Sequence, residues 1–181
     1  MGGYMQVKIV KVGNLRTNCY ILIEDKKAIV IDPGDEFNKI KYAIGENKLI
    51  GILLTHRHFD HVGALKDLVR FYGCPVYDRS NLEERRYDFL GIKLECIYTP
   101  GHTKDSVTYY FYEYGFMFVG DFIFKGSVGR YDLEGGNLEE LQSSIQKMKK
   151  YSERTILYPG HEQSTTLGEE IRTNPYLRGL K

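Results

Sequence analysis

Every histidine in the chain falls in one of three short, turn-like segments: Thr55-His56-Arg57-His58-Phe59-Asp60-His61, Thr99-Pro100-Gly101-His102 and Tyr158-Pro159-Gly160-His161. Imidazole is the commonest protein ligand for metals, and its neutral form suits zinc, iron or manganese. The alternation in His56-x-His58 lets two rings converge on one ion from an extended turn. Asp60 and His61 follow on the next bend and can face a neighbouring ion. Asp121, in Val119-Gly120-Asp121, supplies one further carboxylate. Counting donors gives a partition: His56, His58 and His102 around one ion, Asp60, His61 and His161 around another, and Asp121 bridging the two. Each ion then keeps a position for water, as catalytic sites do. A carboxylate bridge suits ions about 3.5–4 Å apart. Structural zinc sites favour closed, cysteine-rich shells, which this chain cannot supply.

The elements that must position these donors are legible as strands ending in breaks. Gln6–Val12, Tyr20–Glu24 and Ala28–Ile31 are rich in Val and Ile, with Asp25-Lys26-Lys27 as a hairpin connection. Asp32-Pro33-Gly34 stops the third of them, and Phe37–Ile44 carries helical spacing. The buried strand Leu49–Leu54 delivers the first histidine cluster at its C-terminal end. A helix from Gly63 to Tyr72 is stopped by Gly73 and Pro75. The second half repeats the theme. Ile92–Tyr98 leads to His102, a hairpin of Val107–Tyr112 and Phe116–Val119 leads to Asp121, and Thr155–Tyr158 leads to His161. Leu138–Tyr151 reads as an amphipathic helix and Glu169–Arg172 as a short one. Three of the five prolines stand in Pro-Gly pairs after strands, where proline presets φ and glycine permits a tight turn.

Composition bounds the partners. A chain of 181 residues is expected to form one domain, 1–181, with a real core. With 25 basic against 24 acidic residues there is no electrostatic reason to expect nucleic acid or a membrane surface as partner. The densest basic cluster, Lys147-Met148-Lys149-Lys150, reads as the solvated last turn of a helix. Cys19, Cys74 and Cys96 are odd in number and outside any CxxC pattern, which speaks for a reducing compartment and against a disulfide framework. Cys19 reads as a small buried core residue, with a thiolate ligand as the alternative. No signal peptide or apolar run of membrane-spanning length is visible. A cytoplasmic protein, monomeric or a small homo-oligomer, is the expectation.

The ordered set His56-x-His58-x-Asp60-His61, His102, Asp121 and His161 resembles that of the metallo-β-lactamase fold superfamily. Thr99-Pro100-Gly101-His102-Thr103, Gly126-Ser127-Val128-Gly129-Arg130-Tyr131-Asp132 and Thr173-Asn174-Pro175-Tyr176-Leu177 resemble segments of small glyoxalase II-like hydrolases. The resemblance runs over essentially the whole chain. It implies an α/β fold, a four-layer αββα sandwich of two mixed sheets with helices outside and metals at one edge. Full-length hydroxyacylglutathione hydrolases carry a helical C-terminal domain that helps grip glutathione. About 20 residues follow His161 here, so the expectation is a hydrolase of S-acyl thiols whose carrier is left open.

For such a substrate, two divalent ions, zinc foremost with iron or manganese as alternatives, would acidify a water from a pKa of 15.7 to about 7 and make it the nucleophile. The ion at His56, His58 and His102 would polarise the carbonyl, and Asp60 would help orient the nucleophile. Asp32 reads either as a hydrogen-bond partner of a ligand histidine or as a simple turn cap. Arg130 and Asp132 read as a loop-bracing ion pair. Lys125, Arg130 and Tyr131, just beyond Asp121, are candidates for the pocket wall. The main rival is a persulfide dioxygenase, which in that family holds a single iron through the equivalents of His56, His102 and Asp121. Lactonases, β-lactamases and RNA-processing nucleases share the superfamily, and a metal-binding module without turnover is the non-enzymatic alternative.

Overall fold

Alternation along the strands divides the apolar residues between two faces, and that division builds the layers. The computed structural model describes residues 3–179. Its first half contains β1 (Gln6–Val12), β2 (Thr17–Glu24), β3 (Lys27–Ile31), α1 (Phe37–Ile44), β4 (Lys48–Leu53), α2 (Phe59–Val62), α3 (Leu65–Tyr72) and β5 (Val76–Tyr77). These strands form a five-stranded sheet in the order β1-β2-β3-β4-β5, antiparallel as far as β3 and parallel from β3 to β5. The second half contains β6 (Arg86–Phe89), β7 (Ile92–Tyr98), β8 (Val107–Phe111), β9 (Phe116–Gly120), β10 (Ile123–Phe124), β11 (Ser127–Val128), α4 (Leu138–Met148), β12 (Ile156–Pro159), β13 (Thr165–Thr166), α5 (Leu167–Thr173) and α6 (Pro175–Arg178). Six of its strands pair as β13-β12-β9-β8-β7-β6, with β12 and β9 parallel and the rest antiparallel, while β10 and β11 make a separate hairpin.

Tyr20, Leu22, Ile29, Ile31 and Leu53 of the first sheet meet Leu94, Tyr109, Phe111, Phe116 and Phe118 of the second. The intervening residues Cys19, Ile21, Ala28, Val30 and Ile52 turn outward, under Ile40 and Ile44 of α1 and Leu68 of α3. On the other side Met117, Val119 and Leu157 lie under Leu141, Ile145 and Met148 of α4, with Leu167 and Leu177 beside them. The period-two pattern thus feeds three apolar layers between four layers of secondary structure, the expected αββα sandwich. Cys19 is fully buried among those outer-face residues, and burial pushes its thiol well above the ordinary value.

Several expectations are refined. The Asp25-Lys26 turn places both central residues at positive φ (48° and 60°), the backbone of a tight hairpin without glycine. The helix expected from Gly63 begins at Leu65, and a separate helical turn, α2, carries Asp60 and His61. The helix expected to reach Tyr151 ends at Met148, because the last turn tightens to i→i+3 bonds from Lys149, Lys150 and Tyr151. Lys147–Lys150 is not simply a solvated turn. Met148 is fully buried, and Lys147 Nζ donates to Glu84 Oε1 (2.7 Å) and to the Tyr98 carbonyl (2.8 Å). The edge strand β6 and the two-residue strands β5, β10, β11 and β13 escape the sequence reading, being polar or too short for a period to register.

The Pro-Gly pairs also work differently from the expectation. Only Gly101 takes an unusual φ (+146°), and there a Cβ would sit 2.5 Å from Leu141 Cα. Gly34 and Gly160 keep ordinary φ values. Their glycine is demanded by crowding, since a Cβ at Gly34 would overlap the Asp60 carbonyl oxygen and one at Gly160 would overlap the Asp121 carboxylate. Glycine at these turns therefore lets strand ends and donors approach closely.

Gly101→Ala combines an unfavourable φ with a backbone clash, and should destabilise the chain by roughly 3 kcal/mol or more. Gly115→Ala, at φ +72° with nothing within 4 Å of the new methyl, should cost only about 1 kcal/mol. Urea denaturation of both variants tests the difference. Equal losses would show that α4 can yield at Leu141.

Candidate metal centre

All seven donor residues follow the ends of elements that open on one rim. His56 and His58 lie just beyond β4, Asp60 and His61 on α2, His102 beyond β7, Asp121 beyond β9 and His161 beyond β12. Among the bonds that fasten the sheets together at this rim, Val107 N–H donates to the Thr55 carbonyl (2.9 Å) and the Tyr109 hydroxyl to the Leu54 carbonyl (2.6 Å).

The donors fall into two groups. His56, His58 and His102 form one; Asp60, His61, Asp121 and His161 form the other, with ligand atoms in each within 4.8 Å of one another. His102 Nε2 lies 3.0 Å from His58 Nδ1. Asp121 Oδ2 lies 3.6 Å from His102 Nε2, 3.9 Å from His56 Nε2 and 3.4 Å from His161 Nε2. His61 Nε2 lies 3.3 Å from both Asp60 Oδ2 and Asp121 Oδ1, and His161 Nε2 is 3.1 Å from Asp60 Oδ2. Two tetrahedral ligands each about 2.1 Å from one ion sit roughly 3.4 Å apart. The observed separations bracket that spacing. Asp121 touches both groups, as a bridging carboxylate must.

The polar accounting agrees. His56 Nε2, His61 Nε2 and Asp121 Oδ1 are buried without an aligned hydrogen-bond partner. Orphaned buried polar atoms are rare and costly, and three converging in one place fit a cation as the missing partner. Charge points the same way. Burial pulls His56 well below its ordinary pKa and lowers His102, leaving neutral rings with free lone pairs. At His61 burial also opposes charge, but the carboxylates of Asp32, Asp121 and Asp60 outweigh it and hold the ring well above its usual value. His161 is pushed up to about 9 by Asp121 and Asp60. Burial resists ionisation of Asp60 and Asp121, yet His161 and His61 hold both carboxyls far below the usual range. The carboxylates of the second group thus favour a positive charge among them, where a bound cation would lie.

The remote nitrogens are held too. His61 Nδ1–H donates to Asp32 Oδ2 (2.9 Å), and His102 Nδ1–H to the Arg130 carbonyl (2.6 Å). Asp32 also accepts from the Thr55 amide (2.8 Å) and hydroxyl (2.6 Å), and Thr55 Oγ1 lies 3.0 Å from His56 Nδ1. Asp32, His56 and His61 also bring potential ligand atoms within 4.8 Å of one another. The Asp32 oxygens are already engaged by Thr55 and His61, so Asp32 is better placed to orient than to ligate. Its φ of +52° is a left-handed conformation, which aspartate tolerates better than most residues.

A cavity of about 650 Å³ opens over the cluster. Leu15, Phe59, Phe124 and Leu133 give it an apolar lip, and Lys125, Arg130 and Glu162 add charge. The Arg130 side chain pairs with Asp132 (3.0 and 3.1 Å) in the open, as expected of a brace. Tyr131 is not among the wall residues; it packs instead against the apolar layer beneath α4. Thr17, Asn18 and Glu170 were missed in the sequence. Thr17 Oγ1 donates to Asp60 Oδ2 (2.9 Å), while Glu170 accepts from the Gly126 amide (2.6 Å) and Asn174 Nδ2 (3.2 Å), bracing the β10–β11 turn.

Comparison with known proteins places this geometry in a family. A model of the Metallo-beta-lactamase superfamily matches residues 12–86 and 76–161. The hydroxyacylglutathione hydrolase GloC of Haemophilus influenzae is 30% identical, aligned over 96% of this chain and 98% of its own. The crystal structure of the BLEG-1 B3 metallo-beta-lactamase is 32% identical with a TM-score of 0.90, covering 96% of this chain and 100% of that one. That of TTHA1623 in a di-iron-bound form is 36% identical with a TM-score of 0.86, covering 94% and 100%. The matched segments contain all seven donors, and the chain belongs to the metallo-beta-lactamase superfamily, as a metallo-hydrolase with a His/Asp metal-binding cluster.

Proposed function

We propose that the chain hydrolyses thioesters of small S-acyl thiols, using two divalent ions held by His56, His58 and His102 and by Asp60, His61, Asp121 and His161. The observation that carries this reading is the shared Asp121 carboxylate at the floor of an apolar-lipped cavity. Bound ions supply Lewis-acid polarisation of the acyl oxygen and a water acidified to a pKa near 7. Asp60, ionised and aimed at the cluster, orients the attacking water and accepts a hydrogen bond from it. The tautomers set by Asp32 and by the Arg130 carbonyl point Nε2 of His61 and His102 inward. Leu15, Phe59, Phe124 and Leu133 shelter the acyl group, and Lys125 lies where an anionic thiol carrier would pass. As a proton passes to solvent, the water oxygen bonds to the acyl carbon, the C–S bond breaks, the sulfur leaves as thiolate, and the carboxylic acid product gives its proton to solvent. That leaving group needs little protonation, which suits a cavity without a dedicated neutral acid.

Zinc is the first expectation for the metal, and the di-iron form of TTHA1623 supports iron as the alternative. The GloC relative supports glutathione as a carrier to test. It aligns over 98% of its own length with this chain, so the extent shared with that relative is compatible with the carrier. The dioxygenase reading needs only His56, His102 and Asp121. It gives no role to His58, 3.0 Å from His102, or to the carboxylates gathered around His61 and His161.

A panel of S-acyl thiols, including S-acylated glutathione, should give thiol release that depends on two metal equivalents per chain. Oxygen uptake with sulfite from a persulfide, or β-lactam opening faster than thioester cleavage, would overturn the assignment. His58→Ala should lower kcat/KM about a hundredfold or more and reduce bound metal, because losing a donor exceeds the usual cost of losing its supporting partner. Asp32→Asn presents an amide where His61 and Thr55 require an acceptor. It should weaken metal binding roughly 10–100-fold, and unchanged affinity in a metal titration would remove Asp32 from this role.

A further inference from the structure

The two residues that open β2 touch the second donor group from opposite sides. Strand alternation sends their side chains to different faces. Thr17, fully buried, donates its hydroxyl to Asp60 Oδ2 at 2.9 Å, the same oxygen that faces His61 and His161. Asn18, 2% exposed, reaches across to the second sheet. Its Nδ2 donates to the carbonyls of Pro159 (3.0 Å) and Glu162 (2.8 Å), and its backbone N–H donates to the Gly160 carbonyl (2.7 Å). These three carbonyls bracket His161 on both sides. The amide orientation is fixed as well, because Asn18 Oδ1 accepts from Lys11 Nζ at 2.9 Å. A flipped amide would face the ammonium with its donors and the two carbonyls with its oxygen. The hydrogen bonds of the other group run elsewhere, from His56 to Thr55, from His102 to the Arg130 carbonyl and between His58 and His102.

We propose that Thr17 and Asn18 are a positioning pair for the second donor group, setting the affinity of one ion while leaving the His56/His58/His102 group untouched. This role rests on the two-ion reading given above. Thr17 fixes the Asp60 carboxylate, and Asn18 fixes the backbone that presents His161. The ion held by Asp60, His61, Asp121 and His161 therefore depends on one end of β2, although β2 contributes no donor of its own.

The test uses Zn²⁺ as probe, with the full chain equilibrated at graded free zinc concentrations and bound metal read by atomic emission. Thr17→Val keeps size and removes the donor. Asn18→Asp keeps shape and sets a carboxylate against two carbonyls. In each, one of two equivalents should require about tenfold more free zinc or higher, while the other binds as in the wild type. Thr17→Ser should restore both. Thr17→Val should also leave the zinc-free chain folded with a cooperative melting transition, which separates positioning from general loosening and keeps the test sound if Asn18→Asp fails to fold. If the wild type binds two equivalents and Thr17→Val loses less than tenfold at either, or both equivalents weaken together, the positioning role is overturned. If the wild type itself binds one equivalent, the two-ion reading falls and this role falls with it.

Discussion

One carboxylate organises the rim. Asp121, with its side chain 11% exposed, lies within 4 Å of four imidazoles drawn from three separate chain segments. A largely buried carboxylate cannot stay ionised without compensating positive charge, and on one side the raised basicity of His61 and His161 reflects that demand. The neutral rings of His56 and His102 on the other side have lone pairs to give and no proton to offer. An arrangement that is anionic, donor-rich and short of hydrogen bonds invites a cation. The crowding at Gly160 follows from bringing strand ends near enough to share this one side chain.

Around that carboxylate the imidazoles are locked rather than merely gathered. Asp32 serves two of them, His61 directly and His56 through the Thr55 hydroxyl. It does so from a left-handed backbone conformation, a local cost that the surrounding bonds must over-determine. His102 takes its tautomer from a main-chain carbonyl in the segment whose side chains form the cavity wall. A change in that wall would therefore be felt at the donor as well as at the substrate.

The candidate donors were legible because the whole histidine supply falls in three short segments, each at the end of an apolar strand. The sandwich was legible through the period-two pattern of residues such as Tyr20, Leu22, Ile29 and Ile31. Thr17, Asn18 and Glu170 were not. A polar residue at a strand start looks the same in sequence whether it faces water or a carbonyl across a seam, and the partners of Asn18 lie more than 130 residues away. Glycines 34 and 160 misled in a different way: the Pro-Gly pattern announces a turn, whereas the real demand is for empty volume beside a distant donor. Tyr131 sits in a stretch that reads as pocket wall, yet it packs against the apolar layer beneath α4.

Each donor group takes members from both halves of the sandwich. His56 and His58 come from the first sheet and His102 from the second; Asp60 and His61 come from the first, with Asp121 and His161 from the second. Any ion held by either group is thus a rivet through the joint between the sheets. Neither half alone can assemble a full set, so the loaded centre registers that both halves are docked. Prising them apart would forfeit the binding free energy of the metal along with the apolar interface.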